Sequence, residues 1–138
     1  LEATLRLYLD QDQARDAVPT LSMICADPGE LAAKAKSLAA AIRREAGELF
    51  EVRVAPGASR VGGGAFPERD LPTSLVSLTP RGDTLGLDML RQRLLDTDPP
   101  LVCRLEQDCL RLDPRTLARD EFPLAARVLA RAARDISR

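Results

Sequence analysis

The chain has 138 residues, 45% hydrophobic and 30% charged, with 20 Lys+Arg against 21 Asp+Glu and no histidine. A chain of this size buries roughly two-thirds of the surface its unfolded form exposes, so one core needs neither metal nor disulfide. The balanced charge argues against a dedicated nucleic-acid module, and the lack of histidine excludes Ser-His-Asp, Cys-His and His-based zinc chemistry from this chain.

Cys25, Cys103 and Cys109 are odd in number and lack CxxC spacing, which suits a reducing compartment, the cytoplasm, and positions in or near the core. No stretch approaches the roughly 18 apolar residues of a membrane span, and the first residues lack a signal-peptide layout. Leu1, Leu5 and Leu9, with Tyr8 alongside, form a helix face with no N-cap ahead of it. Residues 1–26 are therefore expected to be a helical lead-in from a large domain missing upstream, and residues 1–138 a single small domain. Residues 10–16 are polar and predict a turn, after which Pro19 opens a short helix through Leu21, Met23 and Ile24. Asp27-Pro28-Gly29-Glu30 combines an N-cap, proline at the first helical position and a carboxylate three residues on. The long helix that follows carries Leu31, Leu38, Ala39, Ile42 and Ala46 at helical spacing and stops at Gly47.

Phe50, Val52 and Val54 alternate with Glu51 and Arg53, the period of a half-buried strand. Pro56-Gly57 and Gly62-Gly63-Gly64 then predict a glycine-rich connection, and the segment between Pro67 and Pro72 an irregular one. Residues 74–78 read as a second strand, Pro80-Arg81-Gly82-Asp83 as a turn, and Leu87, Leu90 and Leu94 as an amphipathic helix ending before Asp98-Pro99-Pro100. Residues 101–105 and 109–112 predict two short strands around a three-residue turn, Glu106-Gln107-Asp108. Phe122, Ala126, Leu129, Ala133 and Ile136 stripe a final helix. The order α-β-β-α-β-β-α implies an α+β two-layer sandwich with an antiparallel or mixed sheet.

Three groups of residues carry candidate chemistry. Gly62, Gly63 and Gly64 can aim backbone N–H groups at an anion, with Arg60 nearby, or serve only as a flexible turn. Arg104 and the pair Asp113 and Arg115 can gather at one edge of the sheet, to hold a carboxylate or phosphate or to form an ion pair. Arg127, Arg131, Arg134 and Arg138 on the last helix, and Lys36, Arg43 and Arg44 on the long one, form basic stripes that can follow an RNA backbone or face solvent. The carboxylates Asp96, Asp98, Asp120 and Glu121 sit where turns and helix caps explain them. No catalytic residue and no metal ligand set is assigned to this chain.

Read together, Leu1-Glu2-Ala3-Thr4-Leu5-Arg6-Leu7-Tyr8-Leu9, Val61-Gly62-Gly63-Gly64-Ala65-Phe66-Pro67 with Leu71-Pro72-Thr73-Ser74, and Asp98-Pro99-Pro100-Leu101-Val102-Cys103-Arg104 with Leu110-Arg111-Leu112-Asp113-Pro114-Arg115-Thr116 resemble the C-terminal part of the bacterial selenocysteine synthase family, the L-seryl-tRNA(Sec) selenium transferases. The resemblance spans essentially the whole chain. It implies the small C-terminal domain of a fold-type I pyridoxal-phosphate enzyme that converts seryl-tRNA(Sec) to selenocysteinyl-tRNA(Sec) with selenophosphate. It also implies a homo-oligomer, a ring of dimers, and a Schiff-base lysine and selenium-donor arginines upstream of the matched part. Lys34 and Lys36, the only lysines, sit amid alanines on the polar side of a helix, so the piece alone is expected to be inactive. Matching motif by motif places the family's glycine loop on Gly62, Gly63 and Gly64 at the active-site mouth, and its hairpin residues on Arg104, Asp113, Arg115 and Thr116. Two alternatives stand beside this reading: the small domain of a related pyridoxal-phosphate lyase acting on a small amino compound, and a non-enzymatic α+β interaction domain.

Overall fold

The computed structural model describes residues 2–61, 70–82 and 85–136. Three short helices lead in: α1 (Glu2–Leu7), α2 (Gln11–Ala17) and α3 (Pro19–Cys25). The expected turn over residues 10–16 is instead α2. Asp10 caps it by accepting from the N–H groups of Asp12 and Gln13, and Ala14 and Val18, four residues apart, are its buried contacts. One alanine and one valine give too narrow an apolar stripe to stand out among charged residues, but the cap and the neighbouring helix suffice. Leu5, Tyr8 and Leu9, at and just beyond the end of α1, are exposed.

From Asp27 the chain runs α4 (Pro28–Ala46), β1 (Phe50–Arg60), β2 (Asp70–Pro80), α5 (Leu87–Leu95), β3 (Arg104–Glu106), β4 (Cys109–Leu112) and α6 (Phe122–Ile136), with two 3₁₀ turns, Pro114–Thr116 and Arg119–Glu121, before α6. Asp27 accepts from the Glu30 N–H and so caps α4. The strands form one antiparallel sheet in the order β1-β2-β4-β3. Alternation along the strands sorts side chains to two faces. Phe50, Val52, Val76, Leu78, Leu110 and Leu112 join Leu38, Ile42, Leu90, Leu94, Phe122 and Leu129 of the helices in one buried core. Helices α4 and α6 also pack on each other, their inner faces rich in buried alanine. The architecture is α+β, with sheet against helices.

Both β1 and β2 run further than the residues suggest. Pro56 and Gly57 lie inside β1, and Leu71 and Pro72 inside β2, where a connection and an irregular segment were expected. The reason is position: β1 is the edge strand, and β4 pairs with β2 only over Val76 to Leu78, so neither proline faces a third strand needing its N–H. Gly57 is a glycine because Leu75 lies over it, and any Cβ there would overlap the Leu75 side chain. Gly82, at φ +119°, turns the chain out of β2 in a conformation closed to other residues.

The hairpin also departs from expectation. Its turn has two residues, Gln107 and Asp108, both left-handed at φ 52° and 55°, the type I′ geometry that matches strand twist. Glu106 therefore belongs to β3 and faces Cys109, while the strand begins at Arg104 rather than Leu101. Of the cysteines, Cys109 is buried and Cys103 half-buried, but Cys25 is exposed at the end of α3, which contributes no fully buried residue.

Ile42 is fully buried between α4 and the sheet. Ile42→Ala is expected to lower unfolding free energy by about 2–5 kcal/mol with an unchanged urea m-value, measured by chemical denaturation.

Candidate functional site

The sheet face turned away from α4 and α6 is set by register. Ser59 of β1, Leu71 and Leu75 of β2 and Arg111 of β4 lie on this face, and Arg104 stands opposite Arg111. This face, with Thr20, Met23 and Ile24 of α3, lines a cleft of about 880 Å³. Its walls are mixed: Leu71, Leu75 and Val102 are apolar, while Arg60, Arg104, Arg111, Glu106 and Asp113 carry charge.

Arg115, only 7% exposed, closes the cleft floor. Its Nε donates to Ser59 Oγ at 2.9 Å, its Nη2 to the Pro72 carbonyl at 2.7 Å, and its Nη1 to the Met23 carbonyl. Ser59 Oγ in turn donates to Asp113 Oδ2 at 2.5 Å. Asp113 Oδ1 accepts from Thr73 Oγ1 at 2.9 Å and from the Arg115 backbone N–H at 3.0 Å. The guanidinium thus meets the carboxylate through a serine hydroxyl, and every guanidinium nitrogen has a partner. Each carbonyl and hydroxyl in the set is satisfied in turn, as buried polar groups require.

Arg104 lies higher on the wall. Its Nη1 donates to the Ala58 carbonyl at 3.2 Å, and its Nη2 stands 3.9 Å from Asp113 Oδ2. Arg60 is exposed at the cleft rim, 3.7 Å from Asp70, where β1 and β2 lead to residues 62–69. Gly62, Gly63 and Gly64 lie outside the described residues. The structure therefore brings Arg60, Arg104 and Arg115 to one cleft and adds Arg111 and Glu106, which the sequence reading leaves unassigned. The signal for these two is the length of the turn: with two residues in it, period-two alternation puts Arg111 across from Arg104.

The basic stripes divide by partner. Arg43 donates to the Val52 carbonyl at 2.7 Å, Arg44 pairs with Glu45 at 3.3 Å, and Arg134 reaches the Glu45 carbonyl and the Glu48 carboxylate. That contact holds the Glu48 carboxyl below its ordinary pKa. Lys36, Arg127 and Arg131 are exposed, and among the described residues no side-chain partner engages them. Arg138 lies outside the described residues.

Neither lysine lines the cleft. Lys34 is more enclosed than its alanine-rich setting implies: desolvation, opposed by Glu30, lowers its pKa from the usual lysine value. Cys103, half-buried in the cleft wall, has its thiol pushed up to about 11 by burial, so it is a poor nucleophile at neutral pH. Among the described residues no group of three or more His, Cys, Asp or Glu is placed to hold a metal ion. No helix of the described residues is long and apolar enough to cross a membrane.

Comparison with known proteins bears on this arrangement. The family model described as L-seryl-tRNA selenium transferase matches residues 1–118. Over 132 residues the chain is 58% identical to the L-seryl-tRNA(Sec) selenium transferases of Solidesulfovibrio magneticus and Nitratidesulfovibrio vulgaris, a match covering 96% of this chain and 28% of either relative. The enzyme of that name from Geobacter metallireducens is 38% identical over 130 residues, 94% of this chain and 28% of the relative. The chain belongs to the L-seryl-tRNA selenium transferase family. It spans about 28% of the length of these curated relatives.

The Arg115 fork ties Met23, Ser59 and Pro72 together, and a lysine supplies one point charge where these three acceptors need a planar donor set. Arg115→Lys is expected to lower stability by about 2–3 kcal/mol, seen as an earlier thermal unfolding midpoint, and to detach α3, seen as faster amide exchange over residues 19–25.

Proposed function

We propose that this chain is the C-terminal small domain of a pyridoxal-phosphate-dependent L-seryl-tRNA(Sec) selenium transferase. The observation that carries the reading is the match of 96% of the chain at 58% identity to proteins of that name. The whole protein would convert seryl-tRNA(Sec) to selenocysteinyl-tRNA(Sec) with selenophosphate, in the cytoplasm, as a homo-oligomer. Residues 1–26 are its helical lead-in from the large domain, and the exposed Leu5, Tyr8 and Leu9 support that assignment because they offer an apolar face for continued packing.

The cofactor itself does not fit here. Its aldehyde needs a lysine amine, and Lys34 and Lys36 are both on α4, outside the cleft lining. When bound, the cofactor supplies an electron sink, and in this reading the remainder of the protein holds it. What this chain supplies is a wall. Its cleft, with Arg60 and Arg104 toward the opening and Arg115 fixing the floor, borders the active-site mouth. Leu71, Leu75 and Val102 reduce water contact on the apolar side.

Lys36, Arg127 and Arg131 are the side chains we assign to the tRNA backbone, because they are exposed and not engaged by carboxylates of the described residues. Arg43 and Arg134 join elements of the fold, and Arg44 pairs with its neighbour Glu45. A double variant, Arg127→Gln with Arg131→Gln, is expected to weaken tRNA(Sec) binding by the full-length protein. Its log K against log salt slope should be shallower by about 2, measured by filter binding across a salt series.

The reading as a whole is tested on the full-length protein by visible absorption. A yellow protein whose band shifts with seryl-tRNA(Sec) and not with unacylated bulk tRNA is the expected result. A yellow protein indifferent to seryl-tRNA(Sec) would mean a small-molecule lyase, and a colourless one an interaction domain.

A further inference from the structure

Arg104 and Arg111 stand directly opposite each other across the β3–β4 hairpin. Two like charges in that relation repel. Glu106 bridges them, with Oε1 3.6 Å from Arg104 Nη1 and Oε2 2.9 Å from Arg111 Nη1. Two buried donors have no hydrogen-bond partner among the described residues: Arg104 Nη2, whose nearest carboxylate oxygen is Asp113 Oδ2 at 3.9 Å, and Arg111 Nε. Buried guanidinium nitrogens without acceptors are rare in folded proteins, and here a neighbouring pair of arginines supplies two of them in the lining of an open cleft.

We propose that this pair is a binding site for the phosphate group of a phosphate ester, and that the Glu106 carboxylate occupies it when no ligand is present. The charges fit. A phosphate offers more acceptor oxygens than the two of a carboxylate and matches guanidinium forks in bidentate fashion. Each arginine has one fixing contact, Arg104 with the Ala58 carbonyl and Arg111 with Gln107 Oε1 at 2.7 Å on the exposed hairpin turn. Glu106 has its side chain 41% exposed, and among the described residues its carboxylate is engaged by the two arginines alone, so it can swing out. The room also fits an ester better than a bare ion, since the cleft holds about 880 Å³ and continues past the arginines to Leu71, Leu75, Val102 and Ile24. An apolar or planar body attached to the phosphate would lie on those side chains.

The site rests on the hairpin geometry and does not require the transferase reading. The test measures binding, not turnover, so the two can fail separately. AMP, inorganic phosphate and a short RNA stem-loop are titrated into the full-length protein by calorimetry, beside the variants Glu106→Gln and Arg111→Gln. The expected results are that AMP binds more tightly than inorganic phosphate, that E106Q tightens AMP binding about three- to tenfold by removing the competing carboxylate, and that R111Q weakens it at least tenfold. E106Q also guards against misfolding as the explanation, because a damaged hairpin cannot bind more tightly. If the stem-loop displaces AMP and shows the same E106Q gain, the phosphate comes from RNA. If only AMP shows the gain, it comes from a small ester. AMP affinity that is unchanged in both variants, or lowered by E106Q, overturns the proposal.

Discussion

The guanidinium of Arg115 is the interaction on which the cleft depends. Its three nitrogens reach Met23, Ser59 and Pro72, and Ser59 passes the contact on to Asp113. Four segments distant in sequence, α3, β1, β2 and the turn after β4, meet at one buried side chain. Hydrogen bonds to a charged group are worth about 1.5–3 kcal/mol each, and the loss of a partner leaves the others desolvated. The arrangement resists piecemeal change because each member satisfies another: Thr73 and the Arg115 N–H occupy one oxygen of Asp113, and the serine occupies the other. A fully engaged Arg115 is a floor for the cleft, and it leaves Arg104, Arg111 and Arg60 as the cations with room to meet something else.

Alternation along four short strands separates the two tasks of the sheet. Phe50, Val52, Val76, Leu78, Leu110 and Leu112 bury the core against the helices, while Ser59, Leu71, Leu75 and Arg111 on the other face line the cleft. A one-residue slip would exchange the faces. The type I′ turn at Gln107 and Asp108 prevents it on the β4 side, and the long β1–β2 pairing prevents it on the other. The same register that aligns Leu105 with Leu110 toward the core sets Arg104 against Arg111. Charge repulsion at the hairpin is therefore a consequence of how the core is specified, and Glu106 relieves it.

How much of this was legible depends on how local the cause is. Asp27-Pro28 and the spacing of Leu31, Leu38 and Ile42 declare α4 because cap and stripe lie within the helix itself. The strand at Phe50, Val52 and Val54 declares itself by alternation, and α6 by its apolar stripe. The extensions of β1 through Pro56-Gly57 and of β2 through Pro72 were hidden. Proline and glycine act as breakers unless a strand has no neighbour on one side, and that is a property of the assembled sheet. The hairpin error was one residue in turn length, and it concealed the Arg104–Arg111 pairing and with it the bridging position of Glu106. Helix α2 was hidden for a third reason: its two buried residues form a stripe only once α3 is beside it. The family, by contrast, was legible from motifs distributed along the chain, which need no knowledge of contacts.

The charge balance bears on how such a domain can take part in RNA recognition. With a formal net charge of -1, it has no long-range field to draw in a polyanion, and exposed charges act only within a Debye length of about 8 Å at physiological salt. Three of the seven stripe residues, Arg43, Arg44 and Arg134, are engaged by carbonyls and carboxylates of the same chain. Their cost in RNA affinity is offset by their hold on the fold: Arg134 joins α6 to the end of α4, and Arg43 joins α4 to β1. In the proposed reading, Lys36, Arg127 and Arg131 would orient a phosphate backbone that other parts of the protein bring close. In that reading the domain would add placement more than affinity, the part of a cleft wall that meets a substrate held elsewhere.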